Sequence, residues 1–118
     1  MINSVSVTFT GNGTNYLGSR LRGRILAVKV VAGAVTASSD LTLTGDTTGI
    51  PILIDLTVTA SATTWYHPRA FATQNTDGDA ATDAFVEIPL LNERIKCVTA
   101  NAGTSKDITV TVIYDSED

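Results

Sequence analysis

Apolar and polar residues alternate with a period of two in both terminal parts of the chain. Near the N-terminus Val5, Val7 and Phe9 alternate with serine and threonine, and residues 108–114 alternate isoleucine, valine and tyrosine with mostly threonine. Successive side chains of a β-strand point to opposite faces, so this period indicates strands rather than helices. Both segments therefore predict strands with one buried and one solvent-facing side.

The same alternation continues through the middle of the chain. Residues 51–59 predict a strand with inward apolar and outward polar side chains. Residues 25–31 are apolar on both faces except at Lys29, which indicates a central strand or a strand covered by a partner. The predicted core positions of the middle and C-terminal strands are Ile52, Ile54, Leu56, Val58, Val110 and Val112.

Shorter candidate strands complete the pattern, with glycine, asparagine, aspartate and serine between them. The candidates are residues 34–38, 40–44, 63–67, 84–88 and 94–100, and the predicted turns include 11–13, 38–40, 45–49, 91–93 and 101–103. About nine short strands at this spacing predict an all-β fold in one domain, residues 1–118. The predicted architecture is a compact antiparallel β-sandwich, for which a jelly roll is one arrangement and a small β-barrel the alternative.

Residues 69–83 interrupt this pattern, because they show no strand periodicity and predict a long loop. The loop contains Asn75, Asp77, Asp79 and Asp83, whose oxygen atoms are of the kind that calcium prefers. Their spacing does not match the helix–loop–helix calcium motif. We interpret the segment as a solvated, turn-rich loop and predict no metal site; a cation or a glycan bound there stays an open alternative.

Composition and charge narrow the class of protein. Threonine, valine and isoleucine make up a third of the chain, which favours strands. The net charge of −4 is unevenly distributed: residues 1–39 contain no acidic residue, whereas three of the last four residues are acidic. Eight lysines and arginines in total are few for a phosphate-binding domain, so the sequence predicts no nucleic-acid partner.

The sequence also predicts a soluble protein that is made in a cytoplasm. Cys97 is the single cysteine, so no internal disulfide can form, and we expect it to be a small core residue. No N-terminal segment resembles a signal peptide, and no apolar run is long enough to span a membrane.

The sequence contains little that would support a catalytic function. His67 is the only histidine, and no nucleophile-elbow, P-loop or dinucleotide-binding motif accompanies it. Zinc would require further ligands, and the chain offers one cysteine. The sequence therefore predicts a protein that is not an enzyme and has no cofactor.

Two adjacent aromatic residues, Trp65 and Tyr66, are candidates for partner binding. Adjacent strand residues point in opposite directions, so we expect one ring in the core and the other at a surface. A surface aromatic near Arg69 is typical of interface hot spots and of sugar-binding sites. The alternative is that both rings only pack in the core or at its rim.

Arg20, Arg22 and Arg24 form a second candidate, because a period of two puts them on the same side of one strand. Continued in register, that side would next show Leu26 and the apolar strand that follows. Either the arginines lie beyond the core at the rim of the sheet, or a bulge at Gly23 redirects them. They could be a solvated edge that prevents aggregation, or they could bind carboxylates of a neighbouring protein.

Four segments carry a family resemblance: residues 41–53 (LTLTGDTTGIPIL), 66–69 (YHPR), 87–96 (EIPLLNERIK) and 109–114 (TVTVIY). Over residues 23–115 the chain resembles small virion structural proteins of tailed bacteriophages and is similar to head decoration, or cement, proteins. The resemblance implies a compact β fold that binds the major capsid protein on the capsid exterior as a homo-oligomer, a dimer or a trimer. It carries over no catalytic residues.

The sequence thus predicts a bacteriophage decoration protein that binds the outside of the capsid shell and stabilises the head. The alternative is a carbohydrate-binding module or receptor-binding tip that uses Trp65, Tyr66 and the aspartate-rich loop. The predicted partner-binding residues are Arg20, Arg22, Arg24, Trp65, Tyr66 and Arg69. We expect no membrane partner.

Overall fold

A computed structural model describes residues 1–35, 39–73, 80–100 and 107–116, and these residues form an all-β fold, as predicted. The described strands are β1 (Ile2–Thr10), β2 (Gly13–Ala32), β3 (Asp40–Gly45), β4 (Pro51–Thr57), β5 (Thr63–Tyr66), β6 (Arg69–Thr73), β7 (Ala80–Glu87), β8 (Pro89–Ala100) and β9 (Asp107–Ser116). Within the described ranges no helix is long and apolar enough to cross a membrane.

The long strand β2 organises the sheet. Residues 13–24 of β2 pair with β8, residues 23–32 pair with β9, and β5 pairs with residues 28–31. The strand order is β1-β9-β2-β8-β3-β4, and every pairing is antiparallel. One half of the sheet is therefore β4, β3, β8 and the start of β2, and the other is β1, β9, the end of β2 and β5.

Side chains from both halves meet in one buried cluster, which makes the fold a β-sandwich whose halves share β2. Leu41 and Ile95 come from the first half, and Val28 and Val110 come from the second. Cys97 is buried among them, and burial raises the pKa of its thiol to about 12. The thiol is therefore protonated near neutral pH, and the expected core role of Cys97 is confirmed.

The predicted core is confirmed at Ile52, Val58, Val110 and Val112, and Leu56 is half-buried. The prediction for Ile54 is wrong, because its side chain is 56% exposed. A bulge explains the difference. Leu41 pairs with Leu56 and Leu43 pairs with Leu53, so β4 uses one residue more than β3 over this stretch. After one extra residue, the side chains that follow in the strand point to the opposite face from the one that simple alternation predicts.

The prediction of a loop throughout residues 69–83 is also wrong. β6 and β7 pair as a separate antiparallel ribbon, with the backbones of Phe71 and Phe85 opposite each other. In residues 69–73 (RAFAT) and 80–83 (AATD) apolar and polar residues do not alternate, so the period of two gives no signal there. Asn75, Asp77 and Asp79 lie outside the described residues.

Two further local predictions change. Residues 91–93 are not a turn but part of β8, where Asn92 takes a positive φ of 58° and the pairing with β2 shifts register. Asparagine tolerates this conformation better than most residues, so it suits a bulge as well as a turn. Residues 34 and 35 do not form a strand, although Val35 is buried, and residues 36–38 lie outside the described ranges.

Candidate functional site

Four arginines, Arg20, Arg22, Arg24 and Arg69, are exposed on the structure, and we call them together the arginine surface. The first three alternate along β2 with buried Leu21 and Gly23. The fourth begins β6, where its guanidinium donates to the carbonyl oxygen of Leu26 at 3.3 Å. The first three arginines therefore lie on the part of β2 that pairs with β8, and the last of them is also where β9 begins to pair with β2.

A bulge explains how arginines can precede core residues on the same strand. Ile25 pairs with Tyr114 and Ala27 with Ile113, so Leu26 is an additional residue in β2. The extra residue reverses the alternation, and Val28 therefore points inward although Arg24 points outward. The bulge considered at Gly23 is thus found three residues later, at Leu26.

Arg24 is held by two carboxylates of its own chain. Its Nη2 donates to Asp115 Oδ2 at 3.0 Å, and its Nε lies 3.5 Å from Glu87 Oε2. The hydrogen bond with Asp115 raises the pKa of Arg24. The amino group of Met1, 3.0 Å from Asp115 Oδ1, together with Arg24, lowers the pKa of Asp115. Arg24 therefore has fewer free donors for a partner than its exposure suggests.

An open groove separates Arg24 from Arg69, with Val86, Glu87 and Pro89 as its other lining residues. Glu87 Oε2 is shielded from solvent but accepts no hydrogen bond among the described residues. A shielded carboxylate oxygen that accepts no hydrogen bond lowers the stability of the fold, and a donor from outside the chain could restore that stability. The groove thus combines two cationic rims, a carboxylate oxygen that has an ion pair with Arg24 but no hydrogen bond among the described residues, and the apolar side chains of Val86 and Pro89.

Arg20 and Arg22 are less engaged than Arg24. Arg22 Nε donates to Asn92 Oδ1 at 3.3 Å, and neither arginine forms an ion pair with a described residue. Arg22 borders a shallow depression beside Leu91, whose side chain is 54% exposed. A guanidinium next to an exposed leucine is the composition expected at a protein interface, where arginine is enriched and apolar side chains form the centre.

The adjacent aromatic residues point in opposite directions, as predicted. Tyr66 is half-buried and packs against the core, whereas Trp65 is 49% exposed. Lys29 is the direct cross-strand neighbour of Trp65, and its Nζ lies 5.5 Å from the centre of the indole ring. The cation next to Trp65 is therefore Lys29, whereas Arg69 bonds to backbone carbonyls of Leu26 and Pro68.

Several residues of this region were missed by sequence reasoning. Glu87 and Asp115 bind Arg24, and Leu91 provides apolar surface next to Arg22. They come together only because β8 and β9 pair with β2 in this register and β7 contacts β2. The acidic end of the chain and the basic first third were visible signals, but neither identified the pair Arg24 and Asp115.

The remaining chemistry is sparse. His67 is exposed just after β5. In the described part of the chain no three histidine, cysteine or carboxylate side chains are grouped so that they could hold a metal ion.

No protein-family model matches the sequence, and no curated protein matches it. Solved structures share the fold. A chain in the "Cyanophage Pam1 capsid asymmetric unit" superposes with a TM-score of 0.55 at 17% identity, over 97% of this chain and 82% of that chain. A chain in the "Acidic stable capsid structure of Helicobacter pylori bacteriophage KHP30" superposes with a TM-score of 0.53 at 17% identity, over 96% and 86%. At this identity the similarity shows the fold alone.

Proposed function

We propose that this protein is a bacteriophage head decoration protein, which binds the outer surface of the major capsid protein shell and stabilises it. The observation that carries the proposal is the fold, which matches chains of two phage capsids over almost the whole length of this chain. The matched chains are of similar size, since most of each is also covered. A virion structural role also suits a sequence that contains no nucleophile-elbow, P-loop or dinucleotide-binding motif.

The arginine surface is the proposed contact with capsid protein. Arginine donates two parallel hydrogen bonds to a carboxylate, so it recognises acidic side chains with defined geometry. Arg20 and Arg22 retain donors for such partners, and Leu91 lies beside Arg22 as apolar contact area. Arg24 and Arg69 contribute through the groove, where Glu87 can accept a donor from the shell.

Stabilisation then follows from binding equilibria. A protein that binds the assembled shell but not its free subunits favours the assembled state by mass action. Many copies on a symmetric shell add their contributions, so each contact can be weak. In this proposal the chain is made in the host cytoplasm, is placed on the capsid exterior and acts as a homo-oligomer, without nucleic acid, membrane or cofactor.

The direct test is binding to capsids of the phage that encodes the protein. We expect the purified protein to co-sediment with expanded capsids to a saturable level and to raise their melting temperature. The measurements are occupancy by sedimentation and capsid melting by calorimetry. If saturating protein neither co-sediments nor changes the melting, the proposed decoration function is wrong.

Replacement of Arg20 and Arg22 by alanine should weaken capsid binding. If capsid carboxylates bury them, each Arg→Ala change leaves a carboxylate unpaired and costs about 2 kcal/mol of binding free energy. Lys96→Ala is the matched control, because it removes one positive charge from the outward side of β8, opposite Tyr16 of β2. Occupancy should fall for Arg20→Ala and for Arg22→Ala, each made alone, but not for Lys96→Ala. Equal occupancy of all three proteins would assign the arginines to a solvated edge.

A second candidate function is glycan binding, as a carbohydrate-binding module or receptor-binding tip, and exposed Trp65 is the observation that favours it. Trp65 is the only tryptophan, so intrinsic fluorescence reports on this one site. If the isolated chain binds glycans, host-surface polysaccharide should shift or quench the emission saturably, and Lys29→Ala should change that response. We expect no saturable change, since the decoration proposal does not use a glycan.

A further inference from the structure

β1 is the outermost described strand of its half of the sandwich. It pairs with β9 over nine consecutive residues without a register shift, and no described strand pairs with its other edge. An open edge of this kind presents unpaired backbone N–H and C=O groups, which natural proteins normally protect.

The hydrogen bonds at the start of β1 show which backbone groups face outward. Ser116 N donates to the carbonyl oxygen of Met1 at 2.7 Å, and the Met1 amino group donates to the carbonyl oxygen of Ser116 at 3.2 Å. Such mutually bonded pairs recur at every second residue of an antiparallel ladder. The odd-numbered residues of β1 therefore bond to β9. The residues whose N–H and C=O point away from β9 are Ile2, Ser4, Ser6, Thr8 and Thr10.

The edge of β1 lacks the usual protection against pairing. Its sequence, INSVSVTFT, contains no charged residue, proline or glycine. The edge strand of the other half, β4, begins at Pro51 and has two register shifts, and β5 is only four residues long. Val5 and Val7 are only half-buried at the β1 edge, so a further strand would cover apolar surface as well as backbone groups.

We propose that β1 pairs antiparallel with β1 of a second copy of this chain, across a two-fold axis. The occupant is a second copy because an uncharged strand meets its own copy without repulsion, although the chain as a whole carries a charge of −4. Full overlap places Ser6 opposite Ser6 of the second copy, Ser4 opposite Thr8 and Val5 opposite Val7. All outward backbone groups of the five edge residues then have partners.

Hydroxyl side chains of β1 already pair across strands at its other edge, where β1 meets β9. Ser6 Oγ and Thr111 Oγ1 are 2.8 Å apart, and Thr8 Oγ1 and Thr109 Oγ1 are 2.7 Å apart. Hydroxyl pairs across strands contribute to sheet stability. Self-pairing extends the same hydroxyl ladder across the interface. The inference selects a dimer rather than a trimer, and it is independent of capsid binding, since it concerns the isolated chain.

The test is the oligomeric state in solution, measured by sedimentation equilibrium on the full chain. We expect the wild-type protein to be a dimer and Ser6→Pro to be a monomer, because proline removes an outward N–H and leaves the bonds to β9 in place. Ser6→Ala is the matched control: it loses the hydroxyl but keeps the N–H, so it should remain a dimer. A wild-type monomer or trimer, or a folded dimeric Ser6→Pro protein, would overturn the proposal.

A charge pair gives a second measurement that does not depend on proline. In the proposed register Ser4→Lys/Thr8→Lys puts like charges opposite each other at two places, whereas Ser4→Lys/Thr8→Glu puts opposite charges there. Both variants lose the same hydroxyls. The dimer dissociation constant should rise at least about tenfold for the Lys/Lys variant relative to the Lys/Glu variant. Equal dissociation constants would show that β1 is not the interface in this register.

Discussion

Replacing Gly23 by alanine should destabilise the protein by about 4 kcal/mol, or prevent folding, because two costs act at the same position. Gly23 has a φ of 130°, a conformation that side chains rarely adopt. A Cβ added there would lie 1.9 Å from the carbonyl oxygen of Asp115. That atom is backbone and belongs to the β9 ladder, so it cannot move without breaking the pairing of Gly23 with Ser116.

Gly13→Ala is the matched control for this prediction. Gly13 has a φ of 145°, but a Cβ added to it meets no atom within 4 Å. It should therefore show only the conformational cost, of roughly 1 to 2 kcal/mol. The measurement is chemical denaturation of both variants and the wild type. Equal losses for the two alanines would mean that the close approach of β9 to β2 contributes nothing.

The result at Gly23 would test the feature on which the sandwich depends. Leu90 of β8 and Ser116 of β9 both pair with Gly23, so here β2 passes from one half of the sheet to the other. Arg24 and Asp115 lie next to Gly23, around the same small depression. A change of the backbone at Gly23 should therefore disturb the fold and the arginine surface together. A measurement of stability is enough to detect this disturbance.

Strand positions were predictable from the sequence because a period of two is a direct consequence of strand geometry. The opposite directions of Trp65 and Tyr66 follow from that period alone. The failures lie where a bulge intervenes. Ile54 was expected in the core and is exposed, and the arginine side of β2 turns inward only after Leu26. A bulge is a property of pairing between two strands, so one strand's sequence does not reveal it.

The groups around Arg24 were beyond prediction for a related reason. Glu87 and Asp115 are distant from Arg24 in sequence. Only the pairing of β9 with β2 and the contact of β7 with β2 bring them to Arg24. The basic first third and the acidic end were visible in the sequence, but their pairing at Arg24 and Asp115 was not predicted. Arg20 and Arg22, unlike Arg24, form no ion pair with a described residue, so their guanidinium groups can still donate to a partner.

Replacing Glu93 by alanine should cost about 3 kcal/mol of stability, because this buried carboxylate organises the connection between β3 and β4. Its Oε1 accepts from the backbone N–H groups of Thr47 and Thr48 at 2.9 and 3.0 Å, and its Oε2 accepts from Thr48 Oγ1 at 2.9 Å. Gly45 leaves room for the carboxylate, since a Cβ there would lie 2.6 Å from Oε1. Alanine at position 93 leaves the two backbone donors without this acceptor.

Glu93→Gln separates the charge of this side chain from its hydrogen bonds. The amide oxygen can accept from both backbone N–H groups, and the amide nitrogen can donate to the hydroxyl of Thr48. Glu93→Gln should therefore lose less than half as much stability at neutral pH as Glu93→Ala, measured by chemical denaturation. An equal loss in the two variants would assign the whole effect to the negative charge.

The pH dependence of stability distinguishes the same two contributions. Burial alone would raise the pKa of Glu93, but the hydrogen bonds from Thr48 and Thr47 outweigh it and hold the pKa below its usual value. A group whose pKa is lower in the folded protein stabilises the fold above its unfolded pKa, about 4.3 for glutamate, and loses that contribution as pH falls through the folded pKa. The stability difference between wild type and Glu93→Gln should therefore be largest near pH 7 and shrink in acid. A difference that stays constant down to pH 3 would show that ionised Glu93 does not stabilise the β3–β4 connection.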